Sequence, residues 1–184
     1  MNFTAIDFET SAGLIPCEIG ICVVEDGRIT DERSLLIKPY GFPYMNARYQ
    51  EIHRISVMEL ERARTFDQMW DELFPYFDGQ TLVAHNASFD ISVLRTVLDL
   101  YDLRYPRSDY LCSLQMSRKV WKKLPAYNLN ALCQRFDIAL LHHYAGSDAK
   151  ACAKLVLTAV QENQVSSLGE LAEKVGITIN TVDI

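Results

Sequence analysis

Four acidic residues stand where their side chains can do chemistry. Asp7 and Glu9 lie two residues apart in "IDFETS", Asp90 lies in "AHNASFDI", and Asp148 ends the run "HHYAGSD". In a β-strand, residues i and i+2 point to the same face, so Asp7 and Glu9 are expected side by side. Neighbouring carboxylates repel each other, and hard divalent cations, which bind oxygen ligands, relieve that repulsion. The pattern therefore predicts a cation site.

Each of these acids also has an ordinary structural explanation. Asp7 and Glu9 can reach solvent at a strand end, while Asp90 and Asp148 suit the positive end of a helix dipole. Their common placement favours a functional role over these structural ones, because strand ends and helix starts are where α/β folds gather functional groups. Four clustered carboxylates lack compensating charge. Two divalent cations, a known device for phosphodiester hydrolysis, would supply it.

The predicted order of elements can bring these acids together. Strands are predicted at 3–9, 18–25, 33–39, 80–86 and 109–114, with a tight turn at Asp26-Gly27 after the second. Helices are predicted after the caps Ser56, Asn128 and Ser147, and the clearest of them spans 147–163. We predict an α/β fold with a mixed five-stranded sheet, an antiparallel meander plus parallel strands, flanked by helices. Residues 1–164 are predicted to form one domain, and 165–184 a short C-terminal helical extension.

Composition narrows the class of protein. The chain has 184 residues, 49% of them hydrophobic, and a net charge of −6, so no global basic field attracts nucleic acid. The five cysteines form no C-x-x-C pair, which predicts reduced thiols and a cytoplasmic protein. We expect no signal peptide and no membrane span. A protein that hydrolyses or binds nucleotides through a glycine-rich phosphate loop is disfavoured, because G-x-x-x-x-G-K-[ST] is missing.

The acidic motifs, in this order and at these separations, resemble the DEDDh family of 3′-to-5′ exonucleases. The resemblance covers roughly residues 2–162, includes "HRISVMEL" and "YNLNALCQRFDI", and points within the family to the epsilon-type proofreading exonucleases of bacterial DNA polymerase III. It implies a ribonuclease-H-like fold and two Mg²⁺ or Mn²⁺ ions. The implied metal ligands are Asp7, Glu9, Asp90 and Asp148, and the implied general base is His143. The residues implied to bind the terminal nucleotide are Thr10, His53, Ile55, Asn86 and Phe89.

The identity of the general base is not decided by the motif alone. Tyr144 lies four residues before Asp148, the spacing of a sister group that uses tyrosine, whereas His143 lies five before it. Histidine is the better base near neutral pH, because its ordinary pKa is about 6.5 against about 10 for tyrosine. We therefore favour His143 and keep Tyr144 as its rival. We expect His142 to be an exposed loop histidine.

Some of the other residues have structural alternatives. Phe89 can be a core aromatic, Asn86 can brace a turn, and His53 can be a surface loop histidine. We expect His85, which follows an apolar strand, to be a packed and hydrogen-bonded structural histidine. The basic cluster can bind a nucleic-acid strand or form a solvated helix face; it comprises Arg118, Lys119, Lys122 and Lys123.

The resemblance implies hydrolysis at the 3′ end of single-stranded DNA, with release of nucleoside monophosphates during proofreading or repair. An exoribonuclease that trims RNA is the enzymatic alternative, and a non-catalytic nucleic-acid-binding module is the alternative from another class. The expected partners are single-stranded 3′ ends and, for a proofreader, a DNA polymerase subunit. No membrane partner is expected, and the oligomeric state stays open.

Overall fold

The computed structural model describes residues 1–182. Residues 183–184, the last two of the predicted extension, lie outside the described part. The helices and strands, in chain order, are β1 (Phe3–Ala12), β2 (Ile15–Glu25), β3 (Arg28–Leu36), α1 (Ala47–His53), α2 (Val57–Glu61), α3 (Phe66–Leu73), a 3₁₀ turn (Phe74–Tyr76), β4 (Thr81–Ala84), α4 (Ala87–Leu100), β5 (Asp109–Cys112), α5 (Ser113–Val120), α6 (Leu129–Arg135), α7 (Ala145–Asn163), α8 (Leu168–Val175) and β6 (Asn180–Thr181).

One mixed sheet organises the protein, with the strand order β3-β2-β1-β4-β5-β6. The pairs β1–β2 and β2–β3 are antiparallel, and β1–β4 and β4–β5 are parallel. The predicted α/β class, with its meander followed by parallel strands, is confirmed. The predicted count of five strands is corrected to six within the described residues, because Asn180–Thr181 pairs antiparallel with β5. Two residues are too few to show a strand periodicity in the sequence.

The sheet buries an apolar layer on each face, as the alternation in β1 predicts. Phe3 and Ala5 pack in a cluster with α7 and α8, whereas Ile6 and Phe8 pack in a second cluster with α3 and α4. Asp7 and Glu9 continue the series of Phe3 and Ala5, so alternation places them on the α7 side of the sheet.

Helix α7 begins against the sheet at unusually short range. A Cβ atom added at Gly20 in β2 would lie 1.9 Å from the Ala145 carbonyl oxygen, and one at Gly146 would lie 2.9 Å from Ser34 Cβ. Only glycine allows this approach, so β2 fixes where the helix starts.

The predicted start of α7 is corrected, because the helix begins at Ala145 rather than after Ser147. The Ser147 hydroxyl does not cap the helix and instead accepts a hydrogen bond of 2.8 Å from the Leu141 N–H. The two small residues Ala145 and Gly146 allow the extra turn to fit against the sheet.

The C-terminal residues pack onto the sheet and its helices. Leu168, Leu171 and Ala172 of α8 are buried in the cluster that contains α7. The Arg95 guanidinium donates to the Val182 carbonyl at 2.9 Å. All five cysteines are free thiols. Among the described residues, no helix combines the length and apolar character that crossing a membrane requires.

Candidate active site

The four predicted acids meet where β1 extends beyond its parallel neighbour. β4 pairs with β1 at Thr4 and Ala5 and ends at Ala84, whereas β1 continues to Ala12. The Phe8 N–H donates at 3.0 Å to Oδ1 of Asp90, which lies in the first turn of α4. Asp90 therefore ties the start of α4 to β1, at the carboxyl end of the central parallel strands, the location where such sheets bind ligands.

Three carboxylates come within the reach of a common cation. Asp7, Glu9 and Asp148 each offer an oxygen atom, and these three atoms lie within 4.8 Å of one another. Asp90 falls outside this group but lines the same cavity. Asp90 and Asp148 are only 2% and 3% exposed, which removes solvation from their charged forms. A set of buried carboxylate oxygens fits hard divalent cations such as Mg²⁺ or Mn²⁺.

The electrostatics of the cluster show how strongly these acids need compensating charge. Burial, together with the charges of the neighbouring acids, raises the pKa of Glu9 to about 8 and the pKa of Asp7 well above its usual range. Burial raises the pKa of Asp90 to about 7, although the bond from Phe8 opposes the rise. The pKa of Asp148 is also raised by burial, against hydrogen bonds from His142 and His143. A bound cation would favour the ionised forms and reverse these shifts.

Two histidines of the loop before α7 contact the acids directly. His143 Nδ1 lies 3.6 Å from Glu9 Oε1, and the His143 N–H donates to Asp148 at 3.0 Å. His142 stacks on His143 with ring centroids 3.9 Å apart, and its Nδ1 lies 3.3 Å from both Asp148 oxygens. His142 is therefore more than the exposed loop histidine expected from the sequence. Burial and the neighbouring His142 lower the pKa of His143, which keeps its imidazole neutral near pH 7.

Tyr144, the rival base, faces away from the acids. It is 46% exposed and lines a second cavity, of about 650 Å³, between β3 and α7. His143 has a positive φ of 64°, and the chain turns there. His143 lines the cavity with the acids, whereas the next residue, Tyr144, lines the second cavity.

Glu18 is a buried acid that lies outside every motif of the sequence. It lies opposite Glu9 in the β1–β2 register and is 3% exposed. Its carboxylate accepts from the Ser34 hydroxyl at 2.6 Å and from the Ala145 N–H at 3.3 Å. Burial raises its pKa. Glu18 thus joins β2 and β3 to the first residue of α7, and a polar residue within the apolar strand "EIGICVV" was the signal for it.

The acids open into a cavity of about 730 Å³. Three of the five predicted nucleotide-binding residues, Thr10, His53 and Phe89, line it. Ile55 lies outside the lining, since it packs with Cys17 and Leu60 in a small buried cluster.

Asn86 also lies outside the cavity lining. It is exposed at the start of α4 and has a left-handed φ of 80°, which supports its alternative role of bracing the turn. The prediction missed Tyr49 and Ile52 of α1, which line the cavity and are separated by one helical turn. His85 bonds to Ser113 Oγ and to the Tyr127 carbonyl, each at 2.9 Å, as a structural histidine would.

Comparison with known proteins decides the family. The model of the exonuclease family matches residues 4–156. The chain belongs to this exonuclease family. The membership confirms the resemblance drawn from the motifs and the prediction of an enzyme. This exonuclease is also similar to the PolC-type DNA polymerase III of Thermotoga petrophila, with 31% identity over 184 residues. That match covers 96% of this chain but only 12% of the polymerase.

Solved structures show the same fold. This exonuclease is similar to exonuclease X in complex with 5′ overhanging duplex DNA, with a TM-score of 0.75 and 24% identity over 93% of this chain and 98% of that one. It is also similar to the nuclease domain of 3′hExo, a DEDDh family member bound to rAMP, with a TM-score of 0.77 and 15% identity over 97% and 96% of the two chains. These likenesses confirm the ribonuclease-H-like fold.

Proposed function

We propose that this exonuclease hydrolyses single-stranded DNA from the 3′ end, one nucleotide at a time, and releases nucleoside monophosphates. The observation that carries the proposal is the group of Asp7, Glu9 and Asp148 oxygens within 4.8 Å of one another, with His143 3.6 Å from Glu9. The cavity around them, about 730 Å³, has the size of a small-molecule site and accommodates a terminal nucleotide.

Two divalent cations, Mg²⁺ or Mn²⁺, would be held by Asp7, Glu9, Asp90 and Asp148. When bound, they supply the positive charge that stabilises the phosphoryl oxygens in the transition state and eases loss of a proton from water. The raised pKa values of Glu9 and Asp90 support this assignment, because both carboxyls become strong ligands only when a cation compensates their charge.

His143 acts as the general base for the attacking water. Its lowered pKa leaves the ring neutral, and its partial exposure, 42%, lets it reach a water molecule at the cavity mouth. The water oxygen forms a bond to phosphorus while the bond from phosphorus to the 3′ oxygen of the preceding nucleotide breaks. His143 takes the proton from the water, and the leaving 3′ oxygen ends protonated from solvent.

Phe89, Tyr49 and Ile52 would hold the terminal nucleotide. Phe89 and Ile52 are 37% and 44% exposed, although both are large apolar side chains. Exposed apolar surface in a cavity is typical of a binding site, and stacking on such groups tolerates any base. Thr10 and His53 complete the proposed nucleotide pocket.

DNA is the first choice of substrate because the similar PolC-type protein is a DNA polymerase and the similar exonuclease X structure contains DNA. RNA is the second, supported by the rAMP-bound neighbour. We also propose proofreading or repair, with a polymerase subunit as a partner. A cytoplasmic location is proposed as well, and the free thiols support it. Residues 1–164 are proposed as the catalytic domain.

The test compares 5′-labelled single-stranded DNA and RNA of matched sequence, each with Mg²⁺, Mn²⁺ or a chelator. The expected result is a ladder that shortens from the 3′ end only when metal is present, with DNA degraded faster than RNA. Faster degradation of RNA would select the exoribonuclease alternative. Binding without any cleavage in either metal would select the non-catalytic module.

A further inference from the structure

A long stretch of this acidic protein contains no acid. The chain has a net charge of −6, yet residues 110–136 contain no Asp or Glu, while Arg118, Lys119, Lys122, Lys123 and Arg135 lie in them. The stretch includes α5 and α6. Exclusion of acids from one segment creates a local basic surface, the kind of surface that attracts a phosphodiester backbone.

This acid-free segment also supplies one group of cavity-lining residues. The cavity is lined by Leu114 and Arg118 of α5 and by residues 125–129, which include Tyr127. His85 holds the segment in place by bonding to both Ser113 and the Tyr127 carbonyl. The cavity therefore joins an acidic group from β1, α4 and α7 to a basic group from α5.

Arg118 differs from the other cations of the segment. Among the described residues that line the cavity, it is the one arginine or lysine. Its side chain is exposed, and within residues 1–182 it forms no hydrogen bond or ion pair. Other surface arginines of the protein are engaged; for example, Arg64 and Arg107 bind Glu72 and Asp78 at 2.9 Å.

Among the described residues, the Arg118 guanidinium forms no ion pair with the carboxylates of the active site, whose ion pairs are with His142 and His143. By contrast, the Arg118 charge acts on His85. Burial is the main cause that lowers the pKa of His85, the hydrogen bond to the Tyr127 carbonyl opposes this change, and the Arg118 charge adds to the lowering. Arg118 therefore stands in the same cavity as the acids but beside a different part of any ligand that fills it.

We propose that Arg118 binds a phosphate of the substrate strand other than the scissile one, and so positions the strand for cleavage. The proposal rests on the proposed exonuclease function. The scissile phosphate lies on the 5′ side of the 3′-terminal nucleotide, and the next phosphate lies one nucleotide further along the strand. A 3′ nucleotide seated at the acids therefore places this next phosphate within the cavity or at its mouth. Guanidinium groups bind phosphate through two parallel hydrogen bonds, a contact that lysine does not reproduce.

Arg118 also lies in the last turn of α5, where any cation is favoured by the helix dipole. Arg135 occupies the same kind of position in the last turn of α6 and is exposed, but it lies outside the cavity. Arg135 therefore provides a matched control. It belongs to the same acid-free segment, and Arg135→Ala removes the same charge from the same kind of helix end. Elsewhere in this segment, the Trp121 indole donates a hydrogen bond to the Glu162 carboxylate at 2.6 Å.

The test uses two substrates with the 184-residue chain and Mn²⁺. One is a single-stranded DNA oligonucleotide, and the other is the p-nitrophenyl ester of thymidine 5′-monophosphate, which has one phosphodiester and no neighbouring phosphate. For Arg118→Ala, we expect kcat/KM on the oligonucleotide to fall at least about tenfold more than on the ester, the range of a lost charge-assisted hydrogen bond. Most of the loss should be in KM. The salt dependence of oligonucleotide binding should weaken by about 0.7 in log–log slope, as expected for one lost contact with single-stranded DNA.

Arg118→Lys should recover part of the loss, whereas Arg135→Ala should match the wild type on both substrates. Equal losses on the oligonucleotide and the ester in Arg118→Ala would overturn the proposal, since they would place Arg118 in the chemistry or the fold. No loss on the oligonucleotide, or the same loss in Arg135→Ala, would overturn it as well. Failure of the proposed function looks different, because the wild type would then hydrolyse neither substrate.

Discussion

Replacing Glu9 by Gln should stabilise the metal-free protein while it removes a metal ligand. Glu9 is largely buried, with a side chain 13% exposed, and its pKa is raised from the ordinary value of 4.5 to about 8. The folded state therefore holds a proton on Glu9 at pH 7 that the unfolded state has lost. Because the folded pKa is the higher one, the free energy of unfolding falls as pH rises from 4.5 towards 8.

The size of the effect follows from the same two pKa values. Each pH unit between them costs about 1.4 kcal/mol. From pH 4.5 to pH 7 the accumulated cost is roughly 3 kcal/mol, as an upper value because the neighbouring acids titrate together. Glu9→Gln carries no proton in either state and escapes this cost. The variant should be more stable than the wild type by up to about 3 kcal/mol at pH 7 and equal to it at pH 4.

The assay is urea unfolding in a chelator, repeated between pH 4 and pH 8. Glu59→Gln is a control for which the expected change in stability has the opposite sign, because hydrogen bonds from Ser56 lower the pKa of Glu59. Its charge stabilises the fold above the ordinary pKa and is lost in acid, so Glu59→Gln should destabilise at pH 7. Adding Mg²⁺ should stabilise the wild type and leave Glu9→Gln much less affected. A stability difference for Glu9→Gln that is zero or independent of pH would refute the reasoning.

Three other outcomes follow from the site and its support. His143→Ala should lose at least about a hundredfold in kcat as a lost general base, whereas Tyr144→Phe should keep near-normal turnover; the reverse order would make Tyr144 the base. Gly20→Ala should cost about 3 kcal/mol of stability by overpacking, since its Cβ would meet the Ala145 carbonyl. Gly169→Ala should not destabilise, because its Cβ would lie 3.8 Å from Ser167 Oγ, an ordinary van der Waals contact; equal unfolding midpoints for the two variants would contradict the close approach at Gly20. Mg²⁺ binding at pH 7 should release protons, because the pKa values of the Asp90 and Glu9 carboxyls are about 7 and about 8. Calorimetry in buffers of different ionisation enthalpy measures this release, and zero release would contradict the raised pKa values.

Local sequence rules predicted much of the scaffold, because they depend on neighbours in the chain. Ser56 and Asn128 cap their helices as predicted, and Asp26-Gly27 forms the hairpin turn with positive φ at both residues. The strand alternation that joins Asp7 to Glu9 also holds in the structure. Asp90 and Asp148 lie in the first turns of α4 and α7, as the sequence predicted for acids that suit the positive end of a helix dipole.

The features that the sequence could not predict depend on contacts between distant segments. Ile55 turns into a buried cluster with Cys17, which no local pattern reveals. Helix α7 starts at Ala145 because Gly20, more than a hundred residues earlier, leaves room for its carbonyl. The contact between His142 and Asp148 likewise depends on the loop conformation at His143 rather than on spacing.

The most direct test of the central claim is the number of Mn²⁺ ions bound per chain, measured by electron paramagnetic resonance at pH 8. We predict two ions for the wild type and fewer than two for Asp7→Ala, which should also lack turnover. Because Asp7 offers an oxygen to the group it forms with Glu9 and Asp148, its loss should weaken the whole site. A wild type that binds no Mn²⁺, or an Asp7→Ala variant that binds two ions and cleaves DNA normally, would contradict the account.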